Sequence, residues 1–260
     1  MQRNPIHGLL SAFRTLTILS WPGKESKDLS SALPWFPVIG ALLGLVLYAL
    51  ARIGMFLPFD HWHGGMAIII LAIGIWMTRG LHLDGVADWA DSIGGYYSRE
   101  KRLEIMKDSH IGAFGVIALI LLLIAKWLAF ERLLSSGSMI WALIIMAISR
   151  DMMVELITTL PYARSGGGMG RPFVEGASLK HRLISHILCL FFCLPFRLWG
   201  FALWGLAMII TWIFRIRCQK GFGGITGDLL GTANEMIEVV LLFVCAYLKI
   251  PFSVFSMTLW

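Results

Sequence analysis

Asp84, Asp88 and Asp91 stand at i, i+4 and i+7 in the stretch RGLHLDGVADWADSIGGYYSREKRLEIMKDSHIGAFG, residues 79 to 115. On a helix that spacing puts three carboxylates on one face. Like charges this close repel unless a cation neutralises them. A hard divalent ion can do so. Mg²⁺ takes oxygen ligands, keeps several waters and bridges one or two carboxylates to substrate phosphates. The plainer reading is a solvated acidic face paired with the nearby Arg79, Arg99, Lys101, Arg102 and Lys107. Six of the 16 acidic residues fall in this stretch, Glu100, Glu104 and Asp108 being the others. Long apolar segments flank it, and charge beside such segments is costly, which favours the metal reading.

Three further places could carry chemistry. Arg150, Asp151 and Glu155 interrupt an apolar helix, and intramembrane ionisable groups mark either a functional site or a structural ion pair with a neighbouring helix. The loop LPYARSGGGMGRPFVEGASLKHR, residues 160 to 182, offers backbone N–H groups and Arg164 and Arg171 to a phosphate, although no Walker pattern is present and a plain flexible loop is the simpler reading. Asp228 and Glu235 share a helix face after Gly223, Gly224 and Gly227, where a helix N-terminus would favour an anion.

The elements that must position these groups are apolar helices. Of 260 residues 57% are hydrophobic and 15% charged, and mean hydropathy is +0.74. Soluble domains carry about 25% charged residues, so the chain reads as an all-α polytopic membrane protein, one domain over residues 1–260. Spans are expected at 34–57, 65–80, 112–130, 139–160, 183–196, 198–214 and 236–247, about seven in all. A short helix at 8–21 is too short to cross, Trp21-Pro22-Gly23 makes a turn, and the N-terminus lacks the cleavage site of a signal peptide. Gly40 and Gly44 allow a close helix crossing. Lys126 is expected to snorkel from the end of its span, and Glu131 to Gly137 to form a loop. His61 and His63 read as solvated. Cys189, Cys193, Cys218 and Cys245 have neither zinc-site nor disulfide-framework spacing.

Sixteen of the 22 Lys and Arg residues lie in the N-terminal segment and near 79–107, 164–182 and 215–220. With seven spans these regions fall on one side, the cytoplasm by the positive-inside rule. The net charge of +6 belongs to those loops, so no nucleic-acid partner is implied. A site gathered on one side argues against a transport path through the bundle and for an enzyme acting on a phosphorylated substrate.

The order LHLDGVADWADSIGG, then REKRLEIMKDSHIGAFG, then Ser149-Arg150, LPYAR with its glycine loop, and GGITGDLLGTANEMIE resembles the cobalamin synthase family, the adenosylcobinamide-GDP ribazoletransferases. The chain departs from it near the N-terminus, reading TILSWPG where the family has a Thr-Arg-aliphatic-Pro turn, and so suggests no role for Arg14 or Thr17. The resemblance implies a multi-pass protein of the bacterial inner membrane whose active site faces the cytoplasm. Its substrates would be adenosylcobinamide-GDP and α-ribazole or α-ribazole 5′-phosphate, its released product GMP and its cofactor Mg²⁺. A homo-oligomer or a complex with other corrinoid-pathway enzymes is left open.

Carried onto these positions, the resemblance assigns the metal to Asp84, Asp88 and Asp91, and catalytic roles to Asp84, Asp88, Asp108 and His82. Asp108 and Asp228 are further ligands or the base, and His110 is a second candidate base beside His82. Arg79, Lys107, Arg150, Arg164 and Asp228 would hold substrate phosphates. The CDP-alcohol phosphotransferases run an analogous displacement, but their acidic motif has a different order that this chain lacks. A membrane phosphotransferase of that type is the alternative function.

Overall fold

A helix that buries two charged side chains lies at the centre of the bundle. In a bilayer an apolar side chain is content against lipid, whereas a charged one must face protein or water. Helix α7 (Trp141–Thr159) carries Arg150 and Asp151, both buried, and buries 15 of its 19 residues. Helix α6 (Ala113–Ser135) has one buried charge, Lys126, and leaves Phe114, Ile117, Ile120, Leu121 and Leu128 exposed on the outside of the bundle. The computed structural model describes residues 5–19, 23, 26, 28–54 and 62–248. Trp21 and Pro22 of the expected turn, and His61, fall outside the described residues.

Around α7 stand α2 (Phe36–Gly54), entered through a 3₁₀ turn at Leu29–Trp35, and α9 (Leu179–Cys193), α10 (Arg197–Phe222) and α11 (Gly227–Leu248), while α3 (His63–Met77) packs on α2 and α6. Short helices α1 (Pro5–Leu16), α4 (Leu81–Ile93), α5 (Arg99–Ile105) and α8 (Arg171–Glu175) lie among the polar segments. The α2–α7 crossing is as close as the GxxxG spacing suggested: a Cβ on Gly40 or Gly44 would run into the backbone carbonyl of Met146 or Ala142.

Among the described residues four helical stretches are long and apolar enough to cross a membrane: Leu29–Gly54, Ala113–Ser135, Leu179–Phe222 and Gly227–Leu248. The third is 44 residues long, about 66 Å if straight and twice the ~30 Å hydrocarbon core. It folds back on itself instead, at the 3₁₀ turn Leu194–Phe196 and at Arg197 with φ 52°. Asp151 accepts hydrogen bonds from Ser185 on one arm and Trp204 on the other, which a straight rod would not allow.

Two boundaries and one side chain differ from expectation. The loop expected from Glu131 is helical to Ser135, and α10 runs to Phe222 through part of the expected polar loop, because Arg132, Leu133 and Leu134 in the first and Arg215, Arg217, Gln219 and Lys220 in the second are good helix formers and no proline intervenes. Lys126 does not snorkel. It is 6% exposed and donates to Glu235 and Glu238 of α11, each at 2.5 Å. Glu238 also accepts from Arg150 of α7, so these four charges form a layer between the apolar cluster around Trp141, Ile145 and Leu241 and that around Leu33, Phe36 and Leu229.

Candidate active site

The stretch 79–115 is delivered to one end of the bundle by a sharp elbow. Arg79 (φ 57°) and Gly80 (φ 64°) both take the left-handed conformation, and α4 leaves α3 at 90°. Glycine adopts that backbone freely; for arginine it costs about 1–3 kcal/mol, held in place here by Arg79 Nη2 donating to the Arg14 carbonyl at 2.7 Å. α4 therefore runs across the end of α3 and carries its aspartates with it.

What faces those aspartates is set by α11. A Cβ on Gly85 would strike the Asp228 backbone, and one on Gly231 would lie 2.9 Å from His82 Cα. Thr232 Oγ1 donates to the Gly85 carbonyl at 2.9 Å and closes the same crossing. The start of α11 is positioned in turn by the loop after α7. Ala163 N–H donates to Ile225 O at 3.0 Å and Ile225 N–H to Pro161 O at 2.9 Å, and Thr226 caps α11 by accepting from the Leu229 N–H at 3.2 Å. Arg164 is thereby held over Asp228, donating to its Oδ2 at 2.6 Å and to the Met106 carbonyl at 2.9 Å.

The result is a carboxylate group shared by two helices. Asp84 is exposed in the first turn of α4 and Asp88 is half-buried a turn later. Burial, then the charges of Asp84 and Asp228, push the Asp88 carboxyl up to about 7, against the pull of Arg164. Repulsion of this kind is what a cation relieves. Among the described residues no three His, Cys, Asp or Glu side chains converge as a metal cage.

The remaining sequence candidates separate. Asp91 turns away from this group: its two oxygens accept from the Gly112 N–H (2.7 Å) and the Gly115 N–H (2.8 Å), capping α6. Asp108 sits in an exposed turn bound to His110, backbone N–H at 3.0 Å and Nδ1 at 2.6 Å, which lowers its pKa below the usual carboxylate value. Lys107 is exposed beside it. His82 is 3% exposed, and its Nδ1 accepts from Asn234 at 3.0 Å, which leaves no ring lone pair for a substrate proton. Arg150 is 2% exposed and paired with Glu238. Asp151 and Glu155 clasp His186 of α9, at 2.8 and 3.3 Å. The structural-pair reading therefore holds for all three charges of α7.

Beside the carboxylates opens a cavity of about 630 Å³, lined by Arg14, Arg79, Asp228, Phe36, Met153, Gly170, Phe173 and Gly227 among others. It joins apolar walls to two cations and the first turn of α11. Arg14 lines it although the sequence suggested no role, because α1 packs against the elbow and no local pattern announces that contact. Gly170 of the glycine loop lies at its edge, next to Gly227.

A charged pocket with these motifs in this order can be compared with known proteins. The sequence description of cobalamin-5-phosphate synthase matches residues 8–246. The chain belongs to the cobalamin-5-phosphate synthase family. Similar proteins named adenosylcobinamide-GDP ribazoletransferase come from Chlorobium phaeovibrioides (39% identical, over 96% of this chain and 100% of that one) and Chlorobium chlorochromatii (38%, over 95% and 99%). One from Syntrophobacter fumaroxidans is 37% identical over 92% of this chain and 97% of its own. No solved structure matches.

Replacing Gly85 by Ala is expected to separate α4 from α11. A methyl group there meets backbone, which cannot swing aside as a side chain can. The two carboxylate groups part, and turnover should fall on the order of a hundredfold, since an ångström of misplacement is worth that much. A Gly85→Ala enzyme with unchanged turnover would remove the crossing as the site's positioning device.

Proposed function

We propose that the chain transfers the adenosylcobinamide phosphate of adenosylcobinamide-GDP to α-ribazole or α-ribazole 5′-phosphate, forming adenosylcobalamin or its 5′-phosphate and releasing GMP. Family membership over residues 8–246 supports the reaction. The observation that carries the site is the α4–α11 crossing at Gly85, which sets Asp84 and Asp88 beside Asp228 under Arg164.

The acceptor hydroxyl attacks the phosphorus on the cobinamide side of the pyrophosphate. The new O–P bond forms as the P–O bond to GMP breaks, and the hydroxyl proton passes to a carboxylate of the group. Such transfers need positioning and charge neutralisation above all. Arg79 and Arg14 line the cavity where phosphates would lie. Arg164 orients Asp228 and opposes the upward push that burial gives its carboxyl. Phe36, Phe173 and Met153 give the rest of the substrate an apolar wall. Asp84 and Asp88 are the residues that would hold Mg²⁺, with Asp228 facing them; bound there, the ion supplies positive charge for the pyrophosphate and the departing GMP.

The bundle is proposed to cross the bacterial inner membrane seven times. Helices α2, α3, α6, α7, α9, α10 and α11 supply the crossings, and the charge-rich end faces the cytoplasm. Clustering of Lys and Arg at that end supports this orientation.

The test is GMP release by the purified chain given adenosylcobinamide-GDP, α-ribazole and Mg²⁺, with the corrinoid product followed by chromatography. Both products are expected in equal amounts, and a chelator should stop both. Silence with this pair together with activity on a CDP-activated lipid alcohol would move the chain to the alternative substrate class. Full activity in the chelator would remove the metal.

A further inference from the structure

Outside the active-site cavity the bundle has a second large opening, a groove of about 950 Å³ between α10 and the neighbouring α4, α5 and α11. Its walls are apolar: Trp89 and Phe214 meet across it at 6.5 Å, and Ile93 and Ile213 are 41% and 46% exposed along it. One end is cationic. Arg102, Arg217 and Lys220 line it and no acidic residue does. Neither Arg217 nor Lys220 is ion-paired among the described residues. Arg102 lies over the Phe222 ring at 5.9 Å, and its Nε is buried without a hydrogen-bond partner.

The groove follows α10 from Ile210 to Phe222, and both of its ends are lined. That is about 18 Å of helix, close to the ~15 Å depth of one leaflet. The cations sit at the polar end, where a headgroup would lie, and the isoleucines and aromatics sit below, where an acyl chain would lie. We infer that this groove binds an anionic phospholipid, its phosphate received by Arg102, Arg217 and Lys220 and one acyl chain laid against Trp89, Ile213 and Phe214. Basic pockets between membrane helices at the charged interface select headgroups in this way. A zwitterionic lipid would fill the apolar part equally but leave the three cations facing an ammonium as well as a phosphate. Chemistry at Asp84 plays no part in this inference, which stands or falls without the proposed reaction.

The measurement is native mass spectrometry of the detergent-purified chain, incubated without substrate in equal amounts of phosphatidylglycerol and phosphatidylcholine of matched acyl chains. Phosphatidylglycerol should be retained on the order of tenfold over phosphatidylcholine. The Arg217→Gln/Lys220→Gln pair should lose that preference, while Arg132→Gln, an exposed cation at the opposite end, should keep it. Both Gln substitutions are on the surface, and an unchanged thermal unfolding midpoint checks that the variant is folded. Equal retention of the two lipids by the unmodified chain overturns the inference, as does an unchanged preference in the double variant. Displacement of phosphatidylglycerol by millimolar inorganic phosphate would overturn the lipid as occupant and leave a free-phosphate site.

Discussion

Asn at position 84 is expected to reduce GMP release on the order of a thousandfold, about 4 kcal/mol in the barrier, while leaving the fold intact. Asp84 is exposed and makes no hydrogen bond that holds α4 in place, and exposed substitutions of that kind shift stability within about 0.5 kcal/mol. Its contribution is negative charge beside Asp88 and Asp228, which is what a pyrophosphate-bound cation needs and what a carboxamide lacks. Asp91 makes the contrast. Asp91→Asn leaves one α6 N–H facing an amide nitrogen, so about 1 kcal/mol of helix capping is lost and the thermal midpoint drops with activity. Asp108→Asn, in its exposed turn, should change turnover less than threefold or so, within the range of a surface substitution. Steady-state rates and thermal unfolding of the three variants separate these outcomes. An active Asp84→Asn enzyme would return the acidic face to the role of a solvated surface.

The second large effect is on folding. Glu238 accepts from Arg150, from Lys126 at 2.5 Å, from Asn234 at 2.9 Å and from Ser149 at 3.3 Å. Glu238→Met leaves Arg150 charged and buried with only Met146 and Ser149 near its Nη1. An uncompensated buried charge costs about 3–5 kcal/mol. Lys126 keeps Glu235 and suffers less. The Glu238→Met/Arg150→Met pair removes both charges and fills the space with apolar volume, so its unfolding midpoint in detergent should return most of the way to that of the unmodified chain. If the double variant is as unstable as the single one, the layer acts through its hydrogen-bond geometry and charge balance is secondary.

Much of the architecture was legible in the chain because a bilayer imposes strong local rules. Apolar runs must be helical to satisfy their own backbone groups, and Gly40 and Gly44 at a spacing of four allowed a close helix crossing, which the structure makes with α7. The aspartates of α4 were legible for a similar reason, since carboxylates a turn apart on an amphipathic segment share a face whatever surrounds them.

Partner choice was not legible, and tertiary structure alone decided it. Asp84, Asp88 and Asp91 are equivalent by spacing, yet Asp91 lies next to the start of α6 and became its cap, because the unpaired N–H groups of a helix N-terminus attract the nearest carboxylate. Arg150 and Lys126 looked like a phosphate ligand and a snorkelling side chain until α11 placed Glu235 and Glu238 between them. Arg14 and Gly85 gained their places from crossings that no local pattern encodes. Residue type and period determined which groups were available and on which helix face. Which charge meets which depends on how close two helices far apart in sequence can come, and that was settled at Gly85 and Gly231, where the absence of a side chain lets α4 and α11 touch.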